Sequence, residues 1–196
     1  MDIKLLPSAE FLHQCFLYNP ETGSLKWKER PAAHFNGNAA IAKTMNACYA
    51  NKEAGSLMNS GHKSVGLTPF RKLLVHRVIY KMMTGEDPPL LLDHKNGIPD
   101  DNRWENIRNA TYNQNGHNRG ARRDNRSGLR GVYWRKDTKK YFSRICVNGK
   151  VIGLGCFDSA SEAHAAFNLA AKKYYGAYAH IEPPSSPIAS PTASLR

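Results

Sequence analysis

Leu91 to Asn118 reads L-L-D-H-K-N-G-I-P-D-D-N-R-W-E-N-I-R-N-A-T-Y-N-Q-N-G-H-N. An apolar run ends in Asp93-His94, a polar loop follows, Glu105 to Arg108 reads as a second strand, and Thr111 is the N-cap candidate of a helix. Two strands crossed by one helix form a small scaffold that brings a strand end, a loop and a helix to one point. The residue types suit phosphodiester hydrolysis, which needs an activated water and neutralisation of charge on the phosphate and leaving oxygen. Aspartate and asparagine oxygens fit a hard divalent cation such as Mg2+ or Mn2+, with water and phosphate completing its shell. His94, whose ordinary pKa is about 6.5, can take a proton from water near neutral pH. Helical spacing alone leaves Asn113, Asn115, His117 and Asn118 open as the helix member of such a site.

The segment resembles the HNH nuclease ββα-metal motif, in the variant with Asn at its third position. The resemblance covers roughly His76 to Asn118 and rests on D-H, then N-R-x-x-N-I-R, then A-T-x-x-Q-N at these intervals. It implies His94 as general base, Asp93 and Asn115 as holders of one divalent metal ion, and Asn106 as brace of the loop that orients the histidine. His76, just ahead of the next helix, receives no chemistry. It also implies double-stranded DNA as partner, in the manner of homing-type endonucleases.

Outward from this segment, the 196-residue chain carries a net charge of +12, and its placement is uneven. Asn118 to Lys150 holds eleven Lys and Arg against Asp124 and Asp137, whereas the first 117 residues hold fourteen basic against eleven acidic side chains. A polyanion is the expected partner of that segment. Its interleaved Tyr133, Trp134, Tyr141 and Phe142 favour nucleic acid over a merely solvated face, and its strand-like alternation speaks against a membrane surface. Asn118 to Gly128, N-R-G-A-R-R-D-N-R-S-G, reads as a linker. Three strands follow, Gly131 to Lys136, Lys140 to Val147 and Val151 to Phe157, the last two joined by the hairpin turn Asn148-Gly149. A helix spans Ser159 to Tyr175, with Ser159 and Glu162 spaced as a capping box and Ala163, Ala166, Phe167, Ala170 and Tyr174 on one face.

Gly128 to His180 resembles the ethylene-response-factor (APETALA-type) DNA-binding domain. The resemblance is carried by Arg130-Gly131-Val132, Tyr141, Leu154-Gly155-Cys156-Phe157-Asp158 and the alanines of the helix. It implies that the sheet enters the major groove with the helix behind it. Alternation places Val132, Trp134, Tyr141, Ser143, Ile145, Val147, Ile152 and Leu154 under the helix, and Tyr133, Arg135, Phe142, Arg144 and Val151 on the open face. Arg130, Arg135 and Arg144 are then the expected guanine readers. Tyr133 shares their face, Lys136, Lys139, Lys140 and Lys150 suit phosphates, and Arg122, Arg123 and Arg126 of the linker add backbone contacts. The plant pattern has arginine where Tyr133 and Val151 stand and tryptophan at Gly153, so base preference does not carry over.

The N-terminal residues read as a helix from Ser8 to Leu17, a turn at Asn19 to Gly23, a strand Ser24 to Trp27 and a patternless loop Pro31 to Asn51. Short strands Ala54 to Met58, His62 to Leu67 and Lys72 to Val75 follow, then a helix His76 to Thr84 that buries Val78, Ile79, Met82 and Met83. The expected class is α+β. Its parts are an N-terminal helix and hairpin module (1–75), a ββα-metal nuclease core (76–118), a basic linker (119–127), a three-stranded antiparallel sheet packed on one helix (128–180) and an unstructured tail (181–196). On this division the cutting site lies wholly upstream of the linker. Cys15, Cys48, Cys146 and Cys156 fall in no close pair, so neither a disulfide framework nor structural zinc is expected. No run of about 18 apolar residues exists and Met1 to Leu6 lacks a leader pattern, so a soluble, intracellular chain is expected. The chain carries one such site, so cutting of one strand per site is the default expectation, and a monomer is favoured. The competing readings are a DNA-binding regulator that retains only the scaffold, against which the intact His94 argues, and an RNA-binding protein.

Overall fold

The computed structural model describes residues 6–122 and 124–181, so Arg123 and the tail from 182 onward lie outside the described residues. The class is α+β, with several small antiparallel sheets. Among the described residues no helix is long and apolar enough to cross a membrane. The chain divides into two compact units, residues 1–111 and 112–196.

The first unit begins with α1 (Ala9–Cys15), capped by Ser8 Oγ accepting from Phe11 N at 3.2 Å. It is shorter than expected because Phe16 turns extended and starts β1 (Phe16–Tyr18), paired with β2 (Leu25–Trp27) in the register Phe16 to Trp27. The stretch expected as a loop holds a short 3-10 turn (Ala32–Phe35) and α2 (Ala39–Tyr49), capped by Asn38 Oδ1 on Ile41 N at 3.0 Å. Only Ala42 of α2 is buried, so no apolar stripe marks it. Asn46 ties α2 down by accepting from Arg30 N at 3.0 Å and donating to Arg30 O at 2.9 Å, while the Arg30 guanidinium lies between Trp27 and Phe35, 4.3 and 4.7 Å from their ring centres.

Three strands, β3 (Ser56–Leu57), β4 (Lys63–Leu67) and β5 (Arg71–Leu74), lead into α3 (Val75–Thr84), which stops at Gly85 in left-handed conformation. Helix α3 buries Val78, Ile79 and Met82 against α1, with Leu12, Cys15, Phe16 and Val65 completing the core, while Met83 faces outward. The last hairpin pairs β6 (Leu92–His94) with β7 (Ile107–Asn109), and Ile107 anchors it in the same core. Glu105 and Asn106, expected to open the second strand, belong instead to a 3-10 turn, Trp104–Asn106.

The second unit opens with α4 (Tyr112–His117) and continues through β8 (Val132–Arg135), β9 (Lys140–Val147) and β10 (Lys150–Phe157), ordered β10-β9-β8, to α5 (Ala160–Tyr175). Both halves of the Ser159/Glu162 capping box form. Ala163, Phe167, Ala170 and Ala171 lie on the sheet, and Tyr175 rather than Tyr174 is the buried tyrosine. Gly131 is obligatory: its φ is +77° and a Cβ there would overlap the Phe167 ring. Of the positions expected under α5, Trp134 is exposed and packs edge-on against Tyr141, 4.8 Å between ring centres. The boundary between units precedes α4, whereas the compositional linker lies after it. Within that linker, Asn125 and Ser127 form a turn, Asn125 Nδ2 and Ser127 Oγ both donating to Leu129 O.

Candidate active site

Antiparallel register sets Asp93 directly opposite Arg108 and His94 opposite Ile107. Arg108 donates through Nε at 2.8 Å and Nη2 at 2.7 Å to Asp93 Oδ2, a two-toothed ion pair in which both side chains are largely buried. His94, the last residue of β6, is buried among two further imidazoles, His76 at 5.2 Å and His62 at 5.7 Å between ring centres, and these two lie 5.2 Å apart. His62 comes from the turn before β4 and His76 from the first turn of α3.

Burial lowers the pKa of all three histidines. His76 is pushed down to about 3, first by burial and then by its neighbours His94 and His62. His94 is lowered mainly by burial, against which a hydrogen bond to Asn102 and the charges of Asp93 and Asp101 act. His94 Nε2 lies 3.4 Å from Asn102 Oδ1, and Asn102 Nδ2 donates to Asp100 O at 3.2 Å, which fixes the amide's orientation. A carbonyl oxygen only accepts, so Nε2 carries the proton in this arrangement and Nδ1 keeps the lone pair. A neutral His94 is the form that accepts a proton.

Asn106 stands at the centre of the loop between the strands. Its Oδ1 accepts from Asn96 N at 3.0 Å, and its Nδ2 donates to Asn96 Oδ1 at 3.0 Å and Asp101 O at 2.7 Å. Asp101 is further clamped by Arg103, Nε at 2.9 Å and Nη2 at 2.7 Å. Asn106 thus spans the loop, and Asn102 is the loop residue that touches His94. The N-terminal hairpin supports Asn102: Tyr18 Oη donates to Asn102 O at 2.8 Å and Trp104 N to Pro20 O at 3.0 Å. Gly23 there has φ +73°, and a Cβ on it would stand 2.6 Å from Arg103 N. Asn102 and Arg108, which stand in the motif without an assigned role, and His62 and His76, outside its quoted residues, are therefore site neighbours. Only Arg108 leaves a local sign, since the hairpin register pairs it with Asp93.

Asn115 sits half-buried on α4, in the second unit. On that unit's open sheet face, the Arg144 guanidinium lies 4.3 Å over the Tyr133 ring and Arg135 5.9 Å over Phe142. Arg135 also pairs with Asp137 at 2.6 Å and Lys140 with Asp158 at 3.1 Å, while Lys136, Lys139, Lys150, Arg122 and Arg126 are exposed. A groove of about 840 Å³ runs past Arg119, Arg122, Arg126, Arg144 and Tyr133. Arg130 lines it as well, but its guanidinium is bound to backbone carbonyls of Gly116, His117 and Arg119.

Residues 73–117 match the family model of HNH endonucleases. The match runs from β5 through α3, the β6–β7 hairpin and α4, and takes in Asp93, His94, Asn106 and Asn115. It supports a nuclease acting on DNA. No curated protein and no solved structure matches the chain.

Among the described residues no group of three or more His, Cys, Asp or Glu is arranged to hold a metal ion. Within the first unit the donors at hand are one buried carboxylate, Asp93, beside the imidazole of His94, a set whose chemistry suits a hard cation held by few protein ligands.

Proposed function

We propose that this chain is a metal-dependent DNA endonuclease, homing-endonuclease-like, that hydrolyses phosphodiester bonds. The observation that carries the reading is His94: a buried imidazole lowered in pKa, tied through Nε2 to Asn102, adjoining a buried carboxylate, and lying inside the HNH match. In this reading His94 Nδ1 accepts the proton of the attacking water. Asn102 holds the tautomer, and Asn106 holds the loop that carries Asn102. Asp93 and Asn115 would hold a divalent cation, Mg2+ or Mn2+, which supplies Lewis-acid neutralisation of the phosphate and leaving oxygen. Arg144, Arg135 and Tyr133 on the sheet face contact duplex DNA, with Lys136, Lys139, Lys140 and Lys150 on phosphates, as the resemblance to ethylene-response-factor domains implies, and Arg122, Arg123 and Arg126 of the basic linker add to these contacts.

The test is incubation with supercoiled plasmid and Mg2+ or Mn2+, with and without chelator, on wild type and His94→Ala. Wild type nicks or linearises the plasmid only with metal, and His94→Ala loses cleavage while its DNA affinity stays within a few-fold. Cleavage by His94→Ala at the wild-type rate removes His94 from the chemistry.

A further inference from the structure

A helix of six residues does not stand alone in water, so α4 has to be held by what surrounds it. Its C-terminal carbonyls in particular need donors from outside the helix. Asn118 N reaches back to Gln114 O at 3.2 Å, and the rest of that end is met by the second unit's own core. Arg130 Nη1 donates to His117 O at 2.6 Å and also to Arg119 O, Arg130 Nη2 donates to Gly116 O at 3.0 Å, and His180 N adds a bond to His117 O at 3.3 Å. The His117 ring is stacked on Tyr175, 3.7 Å between centres and 5° between planes. Tyr175 is itself fixed, buried and donating from its hydroxyl to Cys146 O at 2.7 Å. The Arg130 guanidinium lies 5.6 Å from the Phe167 ring centre and 5.9 Å from that of Tyr175.

We infer that Arg130 is a positioning residue: it holds α4, and through α4 the orientation of Asn115, as part of the basic sheet unit. This rests on the reading of Asn115 as a member of the site. Three physical points converge on it. A cation at a helix C-terminus is favoured by the partial negative charge there. Reading a guanine takes two guanidinium donors in one plane, and here both Nη groups are already committed to main-chain oxygens. A planar fork spans several carbonyls at once, which a compact ammonium does not, so lysine is no substitute at this position. The R-G-V start of the sheet thus has an internal task, with Gly131 seated under Phe167 and Arg130 projecting back onto α4.

The experiment compares full-length wild type with Arg130→Lys, Arg130→Gln and Asn115→Ala. It measures amide hydrogen exchange over 112–119, single-turnover cleavage at saturating protein, and DNA affinity across a salt series. The expected result is at least tenfold faster exchange over 113–119 in both Arg130 variants. Cleavage should fall at least tenfold, while DNA affinity and the salt slope stay within twofold of wild type and lysine gives no rescue. Unchanged exchange over 113–119, rescue by lysine, or a loss that appears as weaker binding with a shallower salt slope would overturn the inference and return Arg130 to the DNA contacts. Should the Arg130 variants fail to fold, His117→Ala removes only the stack on Tyr175. Faster exchange over 113–119 in that variant supports the inference and unchanged exchange overturns it. Wild-type cleavage by Asn115→Ala, with 113–119 still loosened in Arg130→Lys, would overturn the role of Asn115 and leave the hold on α4 standing.

Discussion

Arg108→Ala is the substitution that most directly tests how the site is held. Arg108 donates two charge-assisted bonds, at 2.8 and 2.7 Å, to one oxygen of Asp93, and the two side chains are 11% and 6% exposed. Removing one partner of a buried pair leaves an uncompensated charge and costs about 3–5 kcal/mol. The volume vacated by the arginine admits water to the carboxylate, so the lower end, about 3 kcal/mol, is expected. Against a total stability of about 5–15 kcal/mol, that is a large fraction. The assay is urea unfolding in chelator, in a Trp134→Phe background so that fluorescence reports Trp27 and Trp104 of the first unit. The midpoint should fall with an unchanged slope. Adding Asp93→Asn should return part of the loss, because a neutral amide needs no counter-ion. If Asp93 also ligates a cation, Mn2+ at about a hundred times its Kd adds about 2.7 kcal/mol to the form it binds. At one fixed Mn2+ concentration the gain should be larger in Arg108→Ala than in wild type, where the cation competes with the guanidinium. A loss below about 1 kcal/mol in chelator, typical of a surface pair, would refute the reasoning.

Three further outcomes are expected. His76, with a folded-state pKa near 3 against about 6.5 unfolded, stays neutral in the folded chain, so the unfolded state binds the extra proton between those values. Its contribution is therefore fully present well above pH 6.5 and is lost as pH falls toward 3, by up to about 1.4 kcal/mol per pH unit in the middle of that range. His76→Gln should flatten that part of the stability profile, as read by urea melts at pH 5.0 to 7.5. Gly23→Ala places a methyl 2.6 Å from Arg103 N with the backbone at φ +73°, and costs at least about 1–2 kcal/mol from the left-handed conformation alone. Because the displaced backbone carries Asn102, cleavage should fall more than DNA affinity, and equal falls in both would count against that route. On the sheet face, Arg144→Ala, if it reads a base, should cost about 1–3 kcal/mol on a specific site, whereas Lys139→Ala should weaken all duplexes alike. Binding to specific and random duplexes over a salt series separates the two.

What could be read in the sequence followed local regularity. The capping box and helical period of α5, the Asn148-Gly149 turn and the strand alternation of β9 are written in neighbouring residues, and those elements appear where expected. Helix α2 was silent because one alanine is its only buried residue and its anchor is a distant pairing of Asn46 with Arg30. At the site, Asp93 and His94 announce themselves by chemistry, but His62, His76 and Asn102 reach His94 only through the packing of β4, α3 and the loop after β6. Asn102 also depends on a hairpin eighty residues away in sequence, through Tyr18 and Gly23. The division into compact units differs from the compositional boundary for a related reason. Composition registers a charged, glycine-rich segment, whereas the attachment of α4 runs across that segment through Arg130 and Tyr175, which no local window contains.

The hairpin that bears the candidate base has three residues in each strand, and a two-stranded ribbon of that size is not stable by itself. It is fixed by Ile107 in the core and by the ion pair of Asp93 with Arg108, so the carboxylate proposed to hold a cation also closes the hairpin. The two uses compete for one side chain. On the proposed reading, a cation held by Asp93 would weaken its bond to Arg108, and the released guanidinium would be available to a DNA phosphate, where its charge would be useful rather than costly. In that case binding of metal and binding of DNA would compensate jointly for the lost ion pair. Metal affinity should accordingly be higher with DNA present than without, and the difference should shrink in Arg108→Ala. Equal shifts in wild type and Arg108→Ala, measured by Mn2+ titration with and without an uncleavable duplex, would mean that the ion pair stays closed throughout and serves the fold alone.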